Sequence, residues 1–84
     1  MQITTNDILQ ETVYEDGCAY SVLIKLQNHW YCAQYINGKY TAHTHRKVPF
    51  NQKIKNSLIS FARERVAKLP KSWHDSHNKL YCLN

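Results

Sequence analysis

The sequence predicts an α+β domain: a three- or four-stranded antiparallel meander with one C-terminal helix, over about residues 51–69, packed on one face. Three observations predict it. Residues 18–27 alternate in polarity, Asn37-Gly38 is a strong hairpin signal, and apolar residues recur at helical spacing after Pro49. Since the chain has only 84 residues, we interpret 1–84 as a single small domain, with 1–9 and 71–84 as irregular tails.

Alternation and turn residues predict the central strands. Over residues 18–27, Cys18 and every second residue after it form an apolar face, which favours a half-buried strand. The aromatic-rich segment 30–36 predicts the next strand, and segment 39–48, which a proline stops, predicts its partner. Asn28-His29 is the predicted turn between the first two of these strands.

The two ends of the chain carry weaker signals. Asp16-Gly17 predicts a turn that joins a further strand, 10–15, to the front of the sheet. Residues 5–10 are alternatively one or two turns of helix. Near the other end, segment 80–83 is apolar and is a candidate for a short edge strand or for docking on the core.

The predicted helix has one apolar stripe. Asn51 is a suitable N-cap and Pro70 ends the helix. Arg65 falls within the stripe, and we expect its stem to be buried while its charged head reaches water. The stripe consists of Ile54, Leu58, Phe61, Ala62, Val66 and Leu69.

Charge is strongly polarised along the chain. The formal net charge is +5, yet residues 1–24 contain four acids and no Lys or Arg, so residues 25–84 carry all eleven bases. Such a basic block attracts polyanions, since each neutralised phosphate releases counterions. The alternative is that the charge only keeps a small domain in solution.

Neither a membrane span nor a secretory leader is predicted. No apolar run approaches the roughly 20 residues of a membrane helix, and the N-terminus lacks a basic and an apolar region. The three cysteines include no CxxC pair, which suits reduced thiols. We therefore expect a cytoplasmic protein.

Two-residue turns would fix the strand register and the core face. With turns at Asn28-His29 and Asn37-Gly38, the facing pairs of the first hairpin are Leu26 with Tyr31, Ile24 with Ala33, and Val22 with Tyr35. Those of the second are Tyr35 with Tyr40, Ala33 with Ala42, and Tyr31 with Thr44. This apolar side would receive the helix.

The opposite side is basic and carries an exposed aromatic. Its predicted residues are Lys25, Gln27, Trp30, Cys32, Gln34, Ile36, Lys39, Thr41, His43 and His45. The predicted cross-strand rows are Lys25–Cys32–His43 and Gln27–Trp30–His45. Aromatics among bases favour nucleic acid, because rings stack on bases while cations hold phosphates. Alternatively, the C-terminal tail covers Trp30 and Ile36 as a second small core, and a one-residue slip would exchange the faces.

Catalytic and metal chemistry have weaker support. His43-x-His45 with Cys32, or His74-x-x-His77 with Cys82, could supply ligands, but neither matches a standard zinc spacing. Cys32 beside His43 resembles an activated thiol pair without a third group to orient it. We expect no metal, no cofactor and no enzymatic activity.

The leading hypothesis is a small basic nucleic-acid-binding module. The element order over residues 18–69 resembles that of sheet-reading DNA-binding domains, such as plant AP2-type domains and the arm-binding domains of tyrosine integrases. That resemblance implies that the outer sheet face enters a groove or lies along a strand. The predicted binding residues are Lys25, Trp30, Lys39, His43, His45, Arg46, Lys47, Lys53 and Arg63.

Two alternatives remain open. One is a phage or mobile-element interaction protein that inhibits a host protein or ribonucleoprotein complex, in the manner of anti-restriction or anti-CRISPR inhibitors. Its aromatic anchors would be Trp30, Tyr31, Tyr35, Tyr40 and Trp73. The other, less favoured, is a metal-independent ribonuclease. It would use His43, His45, Tyr40, Arg46 and Lys47. The element order resembles toxin nucleases of the double-stranded-RNA-binding type, without their glycine-serine-histidine motif.

Overall fold

The chain forms a four-stranded antiparallel meander with two C-terminal helices, which confirms the α+β class. The computed structural model describes residues 2–14, 17–36 and 38–81. A 3-10 turn, Thr5–Asp7, precedes the sheet, whose strands lie in the order β1-β2-β3-β4. The elements are β1 (Ile8–Val13), β2 (Ala19–Leu26), β3 (His29–Ile36), β4 (Lys39–Thr44), α1 (Gln52–Ala67) and α2 (Lys71–Tyr81).

The turn between β2 and β3 lies one residue earlier than predicted. Gln27 and Asn28 both have positive φ, 50° and 65°, as a type I′ turn requires. Leu26 therefore pairs with His29, and the predicted pairing of Leu26 with Tyr31 is wrong. The other corrected pairs are Ile24 with Tyr31 and Val22 with Ala33. Because β3 is displaced by two residues, an even number, the side chains that remain within β2 and β3 keep their predicted faces.

The second hairpin has the predicted register. Tyr35 pairs with Tyr40 and Ile36 with Lys39, so two residues connect the strands, although Asn37 lies outside the described residues. β4 ends at Thr44 instead of running to residue 48, because β3 begins at His29 and offers little to pair with beyond that point. The chain turns instead, with the Val48 amide donating to the carbonyl of His45 at 2.9 Å.

The N-terminal segment is structured earlier than predicted. The Asp7 carboxylate accepts from the Thr4 amide at 2.9 Å within the 3-10 turn. β1 then begins at Ile8, so the predicted strand 10–15 starts and ends two residues too late. A bulge falls at Leu9, since Ile8 pairs with Ile24 and Gln10 with Leu23. The predicted turn residue Asp16 lies outside the described residues.

The core lies between the sheet and α1, as the stripe predicted. The side chain of Asn51 caps α1 by accepting from the Ile54 amide at 2.9 Å, and the buried stripe residues of the helix pack on the inner sheet face. Within the described residues, neither α-helix is long and apolar enough to cross a membrane. The buried core residues are Tyr20, Val22, Ile24, Leu26, Tyr31, Ala33, Ala42, Leu58, Phe61, Ala62, Val66 and Trp73.

Residues 71–81 form a helix, so the prediction of an irregular tail is wrong for them. Pro70 ends α1 and also starts α2, where its carbonyl accepts from the amides of Trp73 and His74. Trp73 is buried on the inner side and stacks on His77, with ring centroids 5.1 Å apart. Leu80, predicted to begin an edge strand, lies in α2, while Cys82 and Leu83 lie outside the described residues.

His77 attaches α2 to the sheet through both ring nitrogens. Its Nδ1 donates to the carbonyl of Gly17 at 3.0 Å, so its Nε2 accepts from the Tyr35 hydroxyl at 2.8 Å in the neutral ring. Gly17 is buried against the helix, where a Cβ would lie 2.5 Å from the backbone nitrogen of His77. The contact therefore needs a residue without a side chain at this position.

Arg65 forms an ion pair, which corrects the prediction that its head simply reaches water. Its Nε and Nη2 donate to the two carboxylate oxygens of Glu11 on β1, at 2.8 and 3.0 Å. The hydroxyl of Tyr20, which is fully buried, donates to the same carboxylate. A bidentate ion pair thus connects α1 to the edge strand of the sheet.

Candidate functional site

The outer sheet face is the side of the sheet turned away from α1 and α2. It carries the predicted residues together with others that alternation places there from β1 and β2. Among the described residues, none of its side chains is a carboxylate. Its members are Gln10, Thr12, Ala19, Ser21, Leu23, Lys25, Trp30, Cys32, Gln34, Ile36, Lys39, Thr41 and His43.

The rows across this face differ from those predicted, because β3 is displaced relative to β2. Leu23, Cys32 and His43 form one row, so Lys25 is not in it. Lys25 instead lies directly opposite Trp30. Gln27 lies in the turn and leaves the predicted row of Trp30. The observed register places Lys25 directly beside the indole, closer than the predicted register did.

Trp30 is the most exposed large apolar side chain among the described residues, at 58%. Ile36, on the same face, is 43% exposed. The alternative, in which the C-terminal tail covers Trp30 and Ile36 as a second small core, is wrong for residues 71–81, since α2 docks on the inner side through Trp73 and His77. The backbone carbonyl of Trp30 accepts from the Thr44 hydroxyl of the neighbouring strand β4.

The turn after β4 adds further bases beside Trp30. His45, Arg46 and Lys47 are all exposed, and the amide of Lys47 lies 3.4 Å from the Nδ1 of His45, which it faces as a donor. Thr44 pairs with Tyr31, so this turn starts next to Trp30 on the side away from Lys25. We call the resulting cluster the basic end of the outer sheet face: Lys25, Trp30, His43, His45, Arg46 and Lys47.

Three predicted binding residues lie elsewhere. Lys39 is on the same face but at the opposite end, beside Ile36. Lys53 and Arg63 are on α1, beyond the inner face, so the structure does not bring them to the basic end. Lys53 lines an open groove of about 610 Å³ between α1 and residues 2–3, which also includes the acid Glu64.

Arg63 has a packing role on the inner side. Its guanidinium carbon lies 5.0 Å from the centroid of the Tyr40 ring, a cation–π geometry. Burial raises the pKa of Tyr40, and the Arg63 charge opposes that rise. Tyr40 faces inward, so it does not share a face with His43, its predicted partner in the ribonuclease hypothesis.

Most acids of the described residues lie away from the basic end. Glu11 faces inward, and the hydrogen bond from Arg65 lowers the pKa of its carboxyl, with a smaller contribution from Tyr20. Asp7 is the exception, because it directly precedes Ile8, which pairs with Ile24, and its backbone therefore lies next to that of Lys25. Glu64 and Asp75 are on the helices. Glu15 and Asp16 lie outside the described residues. The described part of the outer sheet face is therefore positively charged.

The site offers binding groups with little catalytic organisation. Cys32 lies opposite His43 as predicted, but its Sγ contacts the Ser21 hydroxyl at 3.8 Å. Over residues 2–14, 17–36 and 38–81, no three His, Cys, Asp or Glu side chains are grouped to hold a metal ion. The predicted ligand Cys82 lies outside these ranges.

Most of the predicted aromatic anchors are part of the core. Tyr31 and Trp73 are each 3% exposed, and Tyr35 and Tyr40 pack against each other with centroids 4.3 Å apart. Only Trp30 of this set is exposed. An interface formed through these aromatics would therefore contact a single ring.

Comparisons of the chain with protein-family models, with curated proteins and with solved structures found no match. The geometry of the site carries the functional conclusion.

Proposed function

We propose that this protein is a small nucleic-acid-binding module that uses the outer sheet face and the turn after β4. The observation that carries the proposal is the exposed indole of Trp30 directly opposite Lys25, on a face whose described charged side chains are all basic. An aromatic ring stacks on a base of any sequence, and neighbouring cations hold the phosphates. We propose a cytoplasmic location and assign no catalytic residue.

The orientation of the core supports this use of the face. α1 and α2 both lie on the inner side, so the outer side chains are not needed to close the core. The inner side also holds the aromatic residues Tyr31, Tyr35, Tyr40 and Trp73. Lys25 and Lys39 extend from it into solvent. Its central rows contain uncharged hydrogen-bonding side chains, such as Gln34 and Thr41, which suit contacts with sugars or base edges.

Salt-dependent binding tests the proposal. The fluorescence anisotropy of labelled mixed-sequence DNA and RNA should report an affinity that falls steeply as salt rises, since phosphate contacts release counterions. Lys25→Glu should weaken binding strongly. The matched control is Lys53→Glu, an equal change of charge at an exposed lysine on α1. It should weaken binding only slightly.

The outcomes separate this function from the alternatives. Equal weakening by Lys25→Glu and Lys53→Glu would mean that net charge, and not the face, attracts nucleic acid. Lack of binding at low salt would reject the proposal, and recovery of one host protein by pull-down would then favour the interaction protein. Cleavage of RNA that disappears in a His43→Ala, His45→Ala variant would favour the ribonuclease.

A further inference from the structure

We propose that the outer sheet face binds nucleic acid in single-stranded form, with one unpaired base stacked on Trp30 and the strand running across β2, β3 and the end of β4. This inference rests on the proposed function and names the class of its ligand. The shared chemistry is an unpaired base on a phosphate backbone, which both DNA and RNA provide.

The width of the sheet opposes entry into a duplex groove. Adjacent strands lie about 4.8 Å apart, so the backbones of four strands span about 14 Å before side chains are added. The major groove of B-DNA is about 12 Å wide and accepts an α-helix or a two-stranded ribbon. Trp30 lies on β3 one residue beyond Tyr31, whose row is the first in which all four strands pair. The walls of a groove would meet the outer strands of this adjacent row before the bases reached the indole.

The chemistry of the indole also favours an unpaired base. Within a duplex, each base face is covered by the next base pair, and the grooves present only base edges. A single strand can turn a base outward and stack it on an aromatic side chain. The exposed ring of Trp30 is the only aromatic that the described residues offer at the basic end of this face, since Tyr14, opposite Ala19, lies at the other end. We therefore expect one stacked base.

The positions of the lysine and arginine side chains define the direction in which the nucleic-acid strand crosses the sheet. Lys25 lies opposite Trp30 on β2, and on the other side the end of β4 is fixed by the hydrogen bond from Thr44 to the Trp30 carbonyl. Arg46 and Lys47 follow directly. Lys25 therefore lies on one side of the indole, and the backbone of two further exposed cations follows the strand end on the other side, so that phosphates before and after a stacked base can each meet a cation.

Lys39 provides a matched control on the same face. It pairs with Ile36, six residues along β3 from Trp30, which places it about 20 Å from the indole. Like Lys25, it is an exposed lysine on the outer sheet face. Replacing either lysine with alanine removes the same charge, but only Lys25 lies on the proposed line.

The experiment compares three labelled probes of one mixed sequence, roughly 12 nucleotides long: single-stranded DNA, single-stranded RNA, and the DNA annealed to its complement. Wild type should bind at least one single strand about tenfold more tightly than the duplex. Trp30→Ala should weaken that binding by about tenfold, a loss typical of one stacked base. Trp30→Phe should retain part of the affinity. Lys25→Ala should weaken binding more than Lys39→Ala.

The result distinguishes the two proposals. Binding of the duplex as tightly as the single strands, with Trp30→Ala weakening all three probes equally, would overturn the single-strand inference and leave the nucleic-acid-binding function intact. No binding of any probe at low salt would reject both. Circular dichroism of each variant establishes that a loss of affinity does not come from unfolding.

Discussion

Glu11 on β1 and Arg65 on α1 form a bidentate ion pair that spans 54 residues of sequence. Both side chains are about three-quarters buried. The pair holds the edge strand against the helix, and the buried hydroxyl of Tyr20 donates a hydrogen bond to the same carboxylate. Burial raises the pKa of Tyr20, and its hydrogen bond to Glu11 raises it further, so this tyrosine stays protonated as the donor.

This ion pair should make folding stability depend on pH in the acid range. The pKa of Glu11 is lowered in the folded chain from its ordinary 4.5, mainly by the hydrogen bond from Arg65. Its stabilisation is therefore complete above the unfolded pKa and is lost as pH falls through the lower folded pKa. Glu11→Gln should cost about 1.5–3 kcal/mol at neutral pH. Urea denaturation across a pH series should show that the free energy of unfolding of Glu11→Gln falls less steeply with acidification than that of wild type.

The matched control for this variant is Glu64→Gln, which removes an exposed carboxylate from α1. It should leave the acid decline unchanged. If Glu11→Gln and wild type lose stability in parallel below pH 4.5, the ion pair does not carry the acid sensitivity.

The two glycines offer a test of how α2 is attached. Both have positive φ, 78° and 80°, so alanine is strained at either position, by about 1 kcal/mol. Gly38 has open space around it, whereas a Cβ at Gly17 would collide with the backbone of His77 and Trp73. Gly17→Ala should therefore cost clearly more than Gly38→Ala. Thermal unfolding followed by circular dichroism measures the difference.

Gly17→Ala should also displace α2, because the collision involves helix backbone that cannot move aside alone. The emission of the buried Trp73 should shift to longer wavelength, while Gly38→Ala leaves it unchanged. Equal melting temperatures of the two variants would contradict the close approach of α2 to residue 17.

The polarity alternation predicts which strand side chains face outward, while the turn residues determine the register of each strand pair. The register of β3 and β4 follows from Asn37-Gly38, whose two positions both favour positive φ. Between β2 and β3 only Asn28 carries such a preference. One asparagine does not specify whether it is the first or the second residue of the turn, and the structure places it second, after Gln27. The predicted faces of β2 and β3 are nevertheless correct, because side chains alternate with a period of two and the shift in pairing is two residues.

α2 shows where sequence reasoning lacked a strong signal. Residues 71–81 are mostly polar, so the apolar stripe that predicted α1 is reduced to Trp73, His77 and Leu80 at positions i, i+4 and i+7. Pro70 was a second signal, since proline is common at the start of a helix as well as after one. The Glu11–Arg65 pair had no local signal, because its partners meet only when α1 packs across the sheet.

Replacing the two tryptophans should change stability by very different amounts. Trp73 is 3% exposed and belongs to the core, so Trp73→Ala should cost about 3–5 kcal/mol. Because that loss is comparable to the whole stability of a small domain, Trp73→Phe serves as the milder variant. Trp30→Ala removes an exposed ring and should change the free energy of unfolding little. Urea denaturation of each variant checks this, and a large loss in Trp30→Ala would place the indole in a packed environment.

The turn after β4 should contribute to the salt dependence of binding. If Arg46 and Lys47 each hold one phosphate of a single strand, replacing both with glutamine should reduce the slope of log K against log salt by about 1.4, or about 0.7 per phosphate. The control replaces Lys53 and Lys68, two exposed lysines of the α1 region, with glutamine. Both double variants have the same net charge, so they share any long-range attraction. Only direct contacts with phosphates change the slope, and an equal slope in the two variants would remove the turn from the interface.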